Sequence, residues 1–547
     1  MNKEQIKTEI ATGKTALGIE FGSTRIKAVL VATDFSTIAV GSHEWENQLV
    51  DGHWTYDLKD IWSGLQAAYQ ALRETVHDQY QTDIHQLASV GFAAMMHGYM
   101  AFNRAGDLLV PFRTWRDATT AQAAHDLTVL FDFNIPQRWS IAHLYQAILN
   151  HETHVAEIDY ITTLAGYVHW QVTGERVLGV GDASGMFPID TQTGTYNARM
   201  VEQFNLLPAV ANFDWRLTDI LPTVKSAGEK AGYLTETGAR LLDPSGTLMA
   251  GAVVAPPEGD AGTGMVSTNS VRQRTANVSA GTSAFAMVVL EHELSQVYED
   301  IDMVTTPDGS AVAMVHANNC TSEINAWARL FKDFATRIGV PISTNQLYTA
   351  LFDAVLDGDA DAGGVLGYGY HSGENITDVP AGRPMTVRTP TANFNLANFM
   401  RMNLFSAFGA IKIGLDILTH EQVAMDSVVA QGGIFTTPVV GQKILAAVMD
   451  APVTLMTNAG EGGPWGMAVL SQYVTMRQAH ESLASFLSER VFASQDSTTM
   501  VPDEQDVVGF ETFMQRYQAG LAVEKLAVTT LTDATEEIEV AEYVGES

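Results

Sequence analysis

The sequence predicts an α/β protein of two related domains facing a central cleft, and three observations predict it. Its 547 residues exceed what a single hydrophobic core holds. An order of strand, glycine-hydroxyl turn, strand, strand and helix starts at residue 16. The same order starts again near residue 275, about half the chain later. A separation that long marks paired domains, because solenoid repeats have periods of about 20–50 residues.

The elements follow in order. "MNKEQIKTEIATGKT" has no apolar core of a secretory signal and reads as a polar lead-in over residues 1–15. Residues 16–21, 26–32 and 36–45 read as strands rich in Ile, Val, Leu and Ala, broken by Gly22-Ser23-Thr24 and by Asp34-Phe35. Leu58, Ile61, Trp62, Leu65, Tyr69 and Leu72 fall at helical spacing, and a strand is expected at 88–93. Pro, Gly and Asp in "VVAPPEGDAGTG" place a domain boundary within 253–264. Beyond it, "TANVSAGTSAFAMVVLE" gives two strands around Gly281-Thr282-Ser283, "GSAVAMVHA" a third, and "SEINAWARLFKDF" a helix. After residue 395 a long helix carries Leu404, Phe408, Ile411 and Leu415 on one face. An amphipathic segment with Phe510, Phe513, Tyr517 and Leu521 follows Asp503, then an acidic tail with Glu536, Glu537, Glu539, Glu542 and Glu546.

Charge narrows the function. With 63 acidic residues against 31 basic ones the net charge is −32, a surface that repels nucleic acid and anionic membranes. It also repels nucleotides, so a nucleotide site needs backbone N–H groups, a metal ion or selected cations. No apolar run approaches the roughly 20 residues of a membrane helix, and a cytoplasmic location is expected. The lone cysteine, Cys320, reads as a buried small side chain rather than a nucleophile.

Several residues are suited to phosphate chemistry. Gly22 lets backbone approach a ligand, the amides and hydroxyls of Ser23 and Thr24 can bond phosphate oxygens, Lys27 is a nearby cation, and Glu20 can hold Mg²⁺. An ordinary hairpin also accounts for "FGST", but the partner turn "SAGTS" lets the two halves clasp a triphosphate. In "GDAGTG", Asp260 ends an apolar strand, where a carboxylate can accept the proton of an attacking hydroxyl or, more simply, cap a helix. Gly432 and Gly433 of "QGGIFTTP" can bring backbone flat against an adenosine, and "NAGEGGPWGMAVL" is a similar strand-to-helix loop. Three other motifs fail. "TEIATGKT" lacks the first glycine of a P-loop, "GEGGPWG" misses a dinucleotide fingerprint by one residue, and "HETH" at 151–154 offers two histidines without a third ligand.

Taken together, these motifs resemble the FGGY family of carbohydrate kinases, within the actin-like superfamily, over about residues 16–490. "GIEFGSTRIKAVL" is similar to the family's first phosphate motif, "GDAGTG" to its catalytic-aspartate motif, "SAGTS" to its second phosphate motif, and "QGGIFTTP" with "EGGPWGMAVL" to its adenosine motif. The resemblance implies two actin-like (ribonuclease H-like) domains, over 16–265 and 266–490, with a C-terminal extension over 491–547. It implies ATP and Mg²⁺ as cofactors, Glu20 and Asp260 at the metal, and Gly22, Ser23, Thr24, Lys27, Gly281, Thr282, Ser283, Gly432, Gly433 and Thr436 at ATP. "MMHGYM" and "FRTWRDATT" resemble sugar-contacting segments, which implies Met96, His97, Trp115, Arg116, Asp117 and Asp260 at the substrate. "GVGDASGMFPID" also matches, with Asp182, Ala183 and Ser184 near the cleft. As core residues, Met96 and Trp115 need no ligand, and His97 reads equally as a hydrogen-bonded buried histidine. Two positions depart from the family pattern. Glu20 replaces the usual aspartate, and Asn375 in "HSGEN" stands where arginine is usual.

The expected activity is ATP-dependent phosphorylation of a ketopentose, L-ribulose or D-xylulose, at its C5 hydroxyl, with Asp260 as base and domain closure excluding water. A kinase for a hexulose, glycerol or a signalling molecule, and a non-catalytic ATP- or sugar-binding sensor, are the alternatives. A homodimer is the default expectation for such an enzyme.

Overall fold

A computed structural model describes residues 1–456, 462–493 and 495–531. The acidic tail and residues 458–461 of the "NAGEGGPWG" loop lie outside the described residues. The chain forms two compact units: Met1–Gln273 with Val289–Ala313 and Thr457–Asp496, and Arg274–Val288 with Met314–Met456 and Ser497–Ser547.

The first unit is built on β1 (Ala16–Phe21), β2 (Arg25–Val31), β3 (Thr37–Glu44) and β4 (Ser89–Ala94), in the spatial order β4-β1-β2-β3. β1 pairs antiparallel with β2 and parallel with β4. The inner strands are buried on both faces, which explains their near-continuous apolar sequence. The helix Leu58–Tyr80 packs Ile61, Leu65, Tyr69 and Leu72 into this core, as its periodicity predicts. On β1, the helix Gly463–Met476 comes so close that a Cβ at Gly18 would collide with the Pro464 carbonyl oxygen and the Ala468 backbone. Its Trp465 Nε1 and Gln472 Nε2 donate to the Phe35 and Ala32 carbonyls, at 3.0 and 2.8 Å.

The second unit repeats the order. β5 (Thr275–Ala280), β6 (Ala284–Val289), β7 (Ala311–Ala317) and β8 (Ser427–Gly432) line up as β8-β5-β6-β7. Here too the first strand is antiparallel to the second and parallel to the fourth. β9 (Val453–Met456) and β10 (Ser497–Met500) extend the sheet beyond β8. The helix Leu396–His420 is, among the described residues, the one long and apolar enough to cross a membrane, yet it is largely buried in this unit. The helix Glu504–Thr530 packs Phe510 and Phe513 against Phe405, with ring centroids 4.9 and 5.3 Å apart.

Within the polar lead-in over 1–15, Lys3–Ala11 is a helix with an Asn2/Gln5 capping box, and it buries Ile10. The polar composition hides it because one apolar stripe of Ile6 and Ile10 suffices to dock so short a helix. The segment 253–264 lies within the first unit. Val253–Val254 and Glu258–Gly259 both pair with β4, and the crossing comes after Gln273. Residues 463–476 return to the first unit because the glycine-lined surface of β1 accepts that helix.

Candidate active site

The turn between β1 and β2 is braced from behind. Trp45 Nε1 donates to the Gly22 carbonyl at 2.7 Å, Tyr56 Oη to that of Ser23 at 2.7 Å, and the Trp45 amide to that of Thr24 at 3.1 Å. Trp45 and Tyr56 stack at 4.1 Å and hold each other in place. With its carbonyls engaged, the turn leaves the Ser23 and Thr24 amides without a hydrogen bond among the described residues, donors suited to an anion.

Beside it lies a line of carboxyl groups. Glu20 faces Lys27 across the β1/β2 pair. Asp260 is the first residue of the helix Asp260–Ser267 and remains exposed, its Oδ1 accepting from the Met96 amide at 3.2 Å and from its neighbour Ala261 at 3.0 Å. Desolvation by the surrounding protein pushes its pKa above the usual carboxylate range, against the pull of these amides. Glu20 is pushed up to about 8, first by desolvation and then by the Asp260 charge, with Lys27 opposing. Behind Asp260, Asp182 and Glu258 are both buried. Glu258 Oε2 accepts from the Asp182 amide at 3.0 Å, and Asp182 Oδ2 from Thr163 Oγ1 at 2.6 Å. Burial, with Asp260 adding to it, raises Asp182 to about 7.

Met96 meets Asp260 through its amide, and His97 follows it in the chain. His97 is buried with φ +71°, stacks on Trp139 at 6.3 Å, and its Nδ1 meets the Gly185 carbonyl at 3.2 Å. Burial, helped by Arg138, lowers its pKa to about 3, so it is neutral. Since Nδ1 donates to that carbonyl, Nε2 is an acceptor, the right polarity for a hydroxyl. Asp117 behaves differently. It is buried, its Oδ1 holds the Thr119 amide at 3.0 Å and hydroxyl at 2.6 Å, and Oδ2 pairs with His53. Arg116 stacks on Trp54 at 4.1 Å, while Trp115 is exposed. This segment reaches the first turn through its neighbours: Thr114 N donates to Trp54 O at 3.0 Å, two residues before Tyr56. Ala183 and Ser184 are buried, Ser184 Oγ accepting from the Thr305 amide at 3.0 Å.

In the second unit the turn Gly281–Ser283 is made the same way from different residues. Thr321 N and Oγ1 donate to the Gly281 carbonyl at 3.1 and 2.8 Å, and Cys320 N to that of Thr282 at 2.9 Å. Among the described residues nothing engages the Thr282 and Ser283 amides. Gly432 ends β8 beside this turn, while Thr436 Oγ1 donates to the Gly433 carbonyl at 2.8 Å. Gly281, Thr321, Gly433 and Thr436 border a cavity of about 650 Å³ walled by Ile324, Asn325, Tyr348 and Phe352, with Tyr348 Oη donating to Asn325 Oδ1 at 2.7 Å. The Cys320 thiol is raised to about 12 by burial and is chemically idle.

The family model for the N-terminal domain of FGGY carbohydrate kinases matches residues 15–253, and that for the C-terminal domain matches 276–474. The chain belongs to the FGGY family of carbohydrate kinases. It is therefore a kinase of the two-domain, actin-like type. It is 21% identical over 520 residues to a xylulose kinase of Haemophilus influenzae, covering 92% of this chain and 99% of that protein. An autoinducer-2 kinase of Photorhabdus laumondii is 22% identical over 443 residues, 73% of this chain and 77% of its own. Among solved structures, the ligand-bound xylulose kinase from Lactobacillus acidophilus superposes with a TM-score of 0.75 at 15% identity, over 94% of this chain and 99% of that one.

FGGY membership implies ATP as the phosphoryl donor, and the outward amides suit its phosphates. A divalent cation suits the Glu20–Asp260 pair for an electrostatic reason. The Asp260 charge works against ionisation of Glu20, and a cation held beside the pair relieves that repulsion. Among the described residues no three His, Cys, Asp or Glu side chains gather into a cage. Mg²⁺ needs none, because it keeps several waters and uses one or two carboxylates plus phosphate. Glu20, one methylene longer than the family's aspartate, extends to Gly463, where a Cβ would overlap its Oε2.

The raised carboxyls predict a pH dependence. Glu20 at about 8 and Asp182 at about 7 bind protons in the folded state that the unfolded chain, with carboxylates near 4, has released. Their stabilisation is complete below the unfolded values and is lost as pH rises through the folded ones. Carboxylates held low, such as Asp117 and Asp243, act only at more acidic pH. The melting temperature of the metal-free protein is thus expected to fall between pH 7 and pH 8, above the range in which the buried, neutral His97, His143 and His169 act in the opposite direction, with Mg²⁺ reducing the fall. A flat or rising profile in scanning fluorimetry would refute the carboxyl cluster.

Proposed function

We propose that this carbohydrate kinase phosphorylates a ketopentose, L-ribulose or D-xylulose, at the C5 hydroxyl, using ATP and Mg²⁺ in the cytoplasm. The observation that carries the reading is Asp260, an exposed carboxylate with a raised pKa, anchored on the amide of Met96 next to His97. The pentulose assignment draws support from the Haemophilus influenzae xylulose kinase, similar over nearly the whole chain.

Asp260 accepts the proton of the C5 hydroxyl as that oxygen bonds the terminal phosphorus, and ADP departs with the electron pair of the broken phosphoanhydride bond. His97 Nε2 orients a second sugar hydroxyl. The Ser23, Thr24, Thr282 and Ser283 amides bind phosphate oxygens, Lys27 adds positive charge, and Gly432, Gly433 and Thr436 border the adenosine. Glu20 and Asp260 are the residues that would hold Mg²⁺, which would supply positive charge against the phosphates. Asp117 acts behind the sugar by fixing His53 and Thr119, and Trp115 and Arg116 offer their exposed surfaces to it.

The test is ADP release from the purified protein with D-xylulose, L-ribulose, a hexulose, glycerol and autoinducer-2. Preference for a pentulose is expected. Preference for autoinducer-2 would favour a signalling-molecule kinase, a reading supported by the Photorhabdus laumondii relative, and release with none would favour a sensor. His97→Ala is expected to raise the sugar KM by about tenfold or more, one hydrogen bond in a desolvated site, and to leave the ATP KM unchanged. An unchanged sugar KM would remove His97 from the substrate site.

A further inference from the structure

The motif "HSGEN", residues 371–375, has no part in the chemistry above, yet Glu374 is fully buried in the second unit. A carboxylate is retained in such a place only where its hydrogen bonds matter. Its Oε2 accepts from the backbone amide of Asn319 at 3.2 Å and from Asn319 Nδ2 at 3.1 Å. Asn319 Oδ1 in turn accepts from the amides of His371 and Ser372, at 2.9 and 3.0 Å. Asn318 Nδ2 donates to the Gly373 carbonyl at 2.8 Å. The loop 371–374 and the segment 318–319 are therefore one knot. The two residues that follow Asn319 are Cys320 and Thr321, which grip the carbonyls of Thr282 and Gly281.

We propose that Glu374 is a positioning residue of the nucleotide site, holding Asn319 so that Cys320 and Thr321 keep the Gly281–Ser283 turn with its amides turned outward. The proposal rests on the reading of that turn as a phosphate-binding element. The C-terminal helix Glu504–Thr530 belongs to the same brace. Its Tyr517 Oη donates to Tyr370 Oη at 2.7 Å, Thr377 Oγ1 reaches Tyr370 Oη at 3.2 Å, and the Thr377 amide reaches the Glu374 carbonyl at 3.3 Å. The extension is thus linked to the Glu374 backbone through Tyr370 and Thr377. Burial pushes the Glu374 carboxyl up to about 7, while the Asn319 side chain and the backbone amides of Asn319, Asn318 and Ile376 hold it down.

The test measures ADP affinity by titration calorimetry, and KM for ATP and for sugar, in the full chain. Glu374→Ala is expected to weaken ADP binding and raise the ATP KM by about tenfold or more, leaving the sugar KM within about twofold. Glu374→Gln, which keeps an acceptor for the Asn319 amide, is expected to restore ADP affinity to within about threefold of the unaltered protein. Should the alanine variant not fold, Thr321→Val removes only the hydroxyl on the Gly281 carbonyl and is expected to weaken ADP alone. Unchanged ADP affinity in these variants, or equal losses for ADP and sugar, would overturn the positioning role. Failure of the underlying reading looks different, because the unaltered protein would then itself bind no ADP.

Discussion

Asp260→Asn is expected to lower turnover by about 10²-fold or more while sugar affinity stays near that of the unaltered enzyme. Asparagine has the shape of aspartate, and its Oδ1 can still accept from the Met96 and Ala261 amides, so the start of the helix Asp260–Ser267 should not move. What disappears is the basic oxygen that takes the hydroxyl proton. A second effect is opposite in sign for Glu20. Its raised pKa comes first from desolvation and then from the Asp260 charge, so the substitution should move Glu20 part of the way toward the ordinary range and flatten the fall in stability between pH 7 and pH 8. Steady-state turnover, sugar titration calorimetry and melting curves on one preparation separate these effects. Turnover equal to that of the unaltered protein would exclude Asp260 as the base.

Gly432→Ala is expected to weaken ADP binding by more than about tenfold and to lower the melting temperature. Gly432 has φ +119° and ψ 177°, a region essentially confined to glycine, and an added Cβ would strike the Ala280 carbonyl oxygen. Strain costs about 1–3 kcal/mol. Relief of the clash has to come from the last rung of the β5/β8 pair, where Ala280 faces Gly432. The residue after Ala280 is Gly281, so displacement passes directly into the phosphate-facing turn. Gly433→Ala is the control. No atom lies within 4 Å of a Cβ there, so its melting temperature should equal that of the unaltered protein. Equal stability of the two variants would mean that Gly432 does not carry the constraint.

Much of this arrangement is legible in the linear pattern. The two runs around Gly22 and Gly281 appear as strand, turn and strand because buried strands need continuous apolar sequence and a tight turn needs glycine with small polar neighbours. The helices at 58–80 and 396–420 are equally visible, since each repeats its apolar face over many turns. The capped helix at 3–11 is too short for its stripe to stand out. Trp45, Tyr56 and Thr321 act on backbone carbonyls, and no residue spacing encodes which carbonyl a distant side chain will reach. Asp117 shows the converse. Its motif announces a polar contact, but whether that contact is a ligand or a protein neighbour such as His53 depends on chain folded back from 64 residues away.

By itself, the sequence determined the doubled α/β plan, the two glycine-hydroxyl turns and the acid at position 260, all of which depend on local backbone demands and on periodicity within a few residues. Only the tertiary structure decided that 463–476 belongs with the first unit, that Glu258 and Asp182 lie buried behind Asp260, and that Glu374 ties the 371–374 loop to Asn319. Those outcomes depend on which surfaces come within van der Waals reach and which charges lose their water. Both are set by the packing of segments far apart in the chain, where no local pattern can record them.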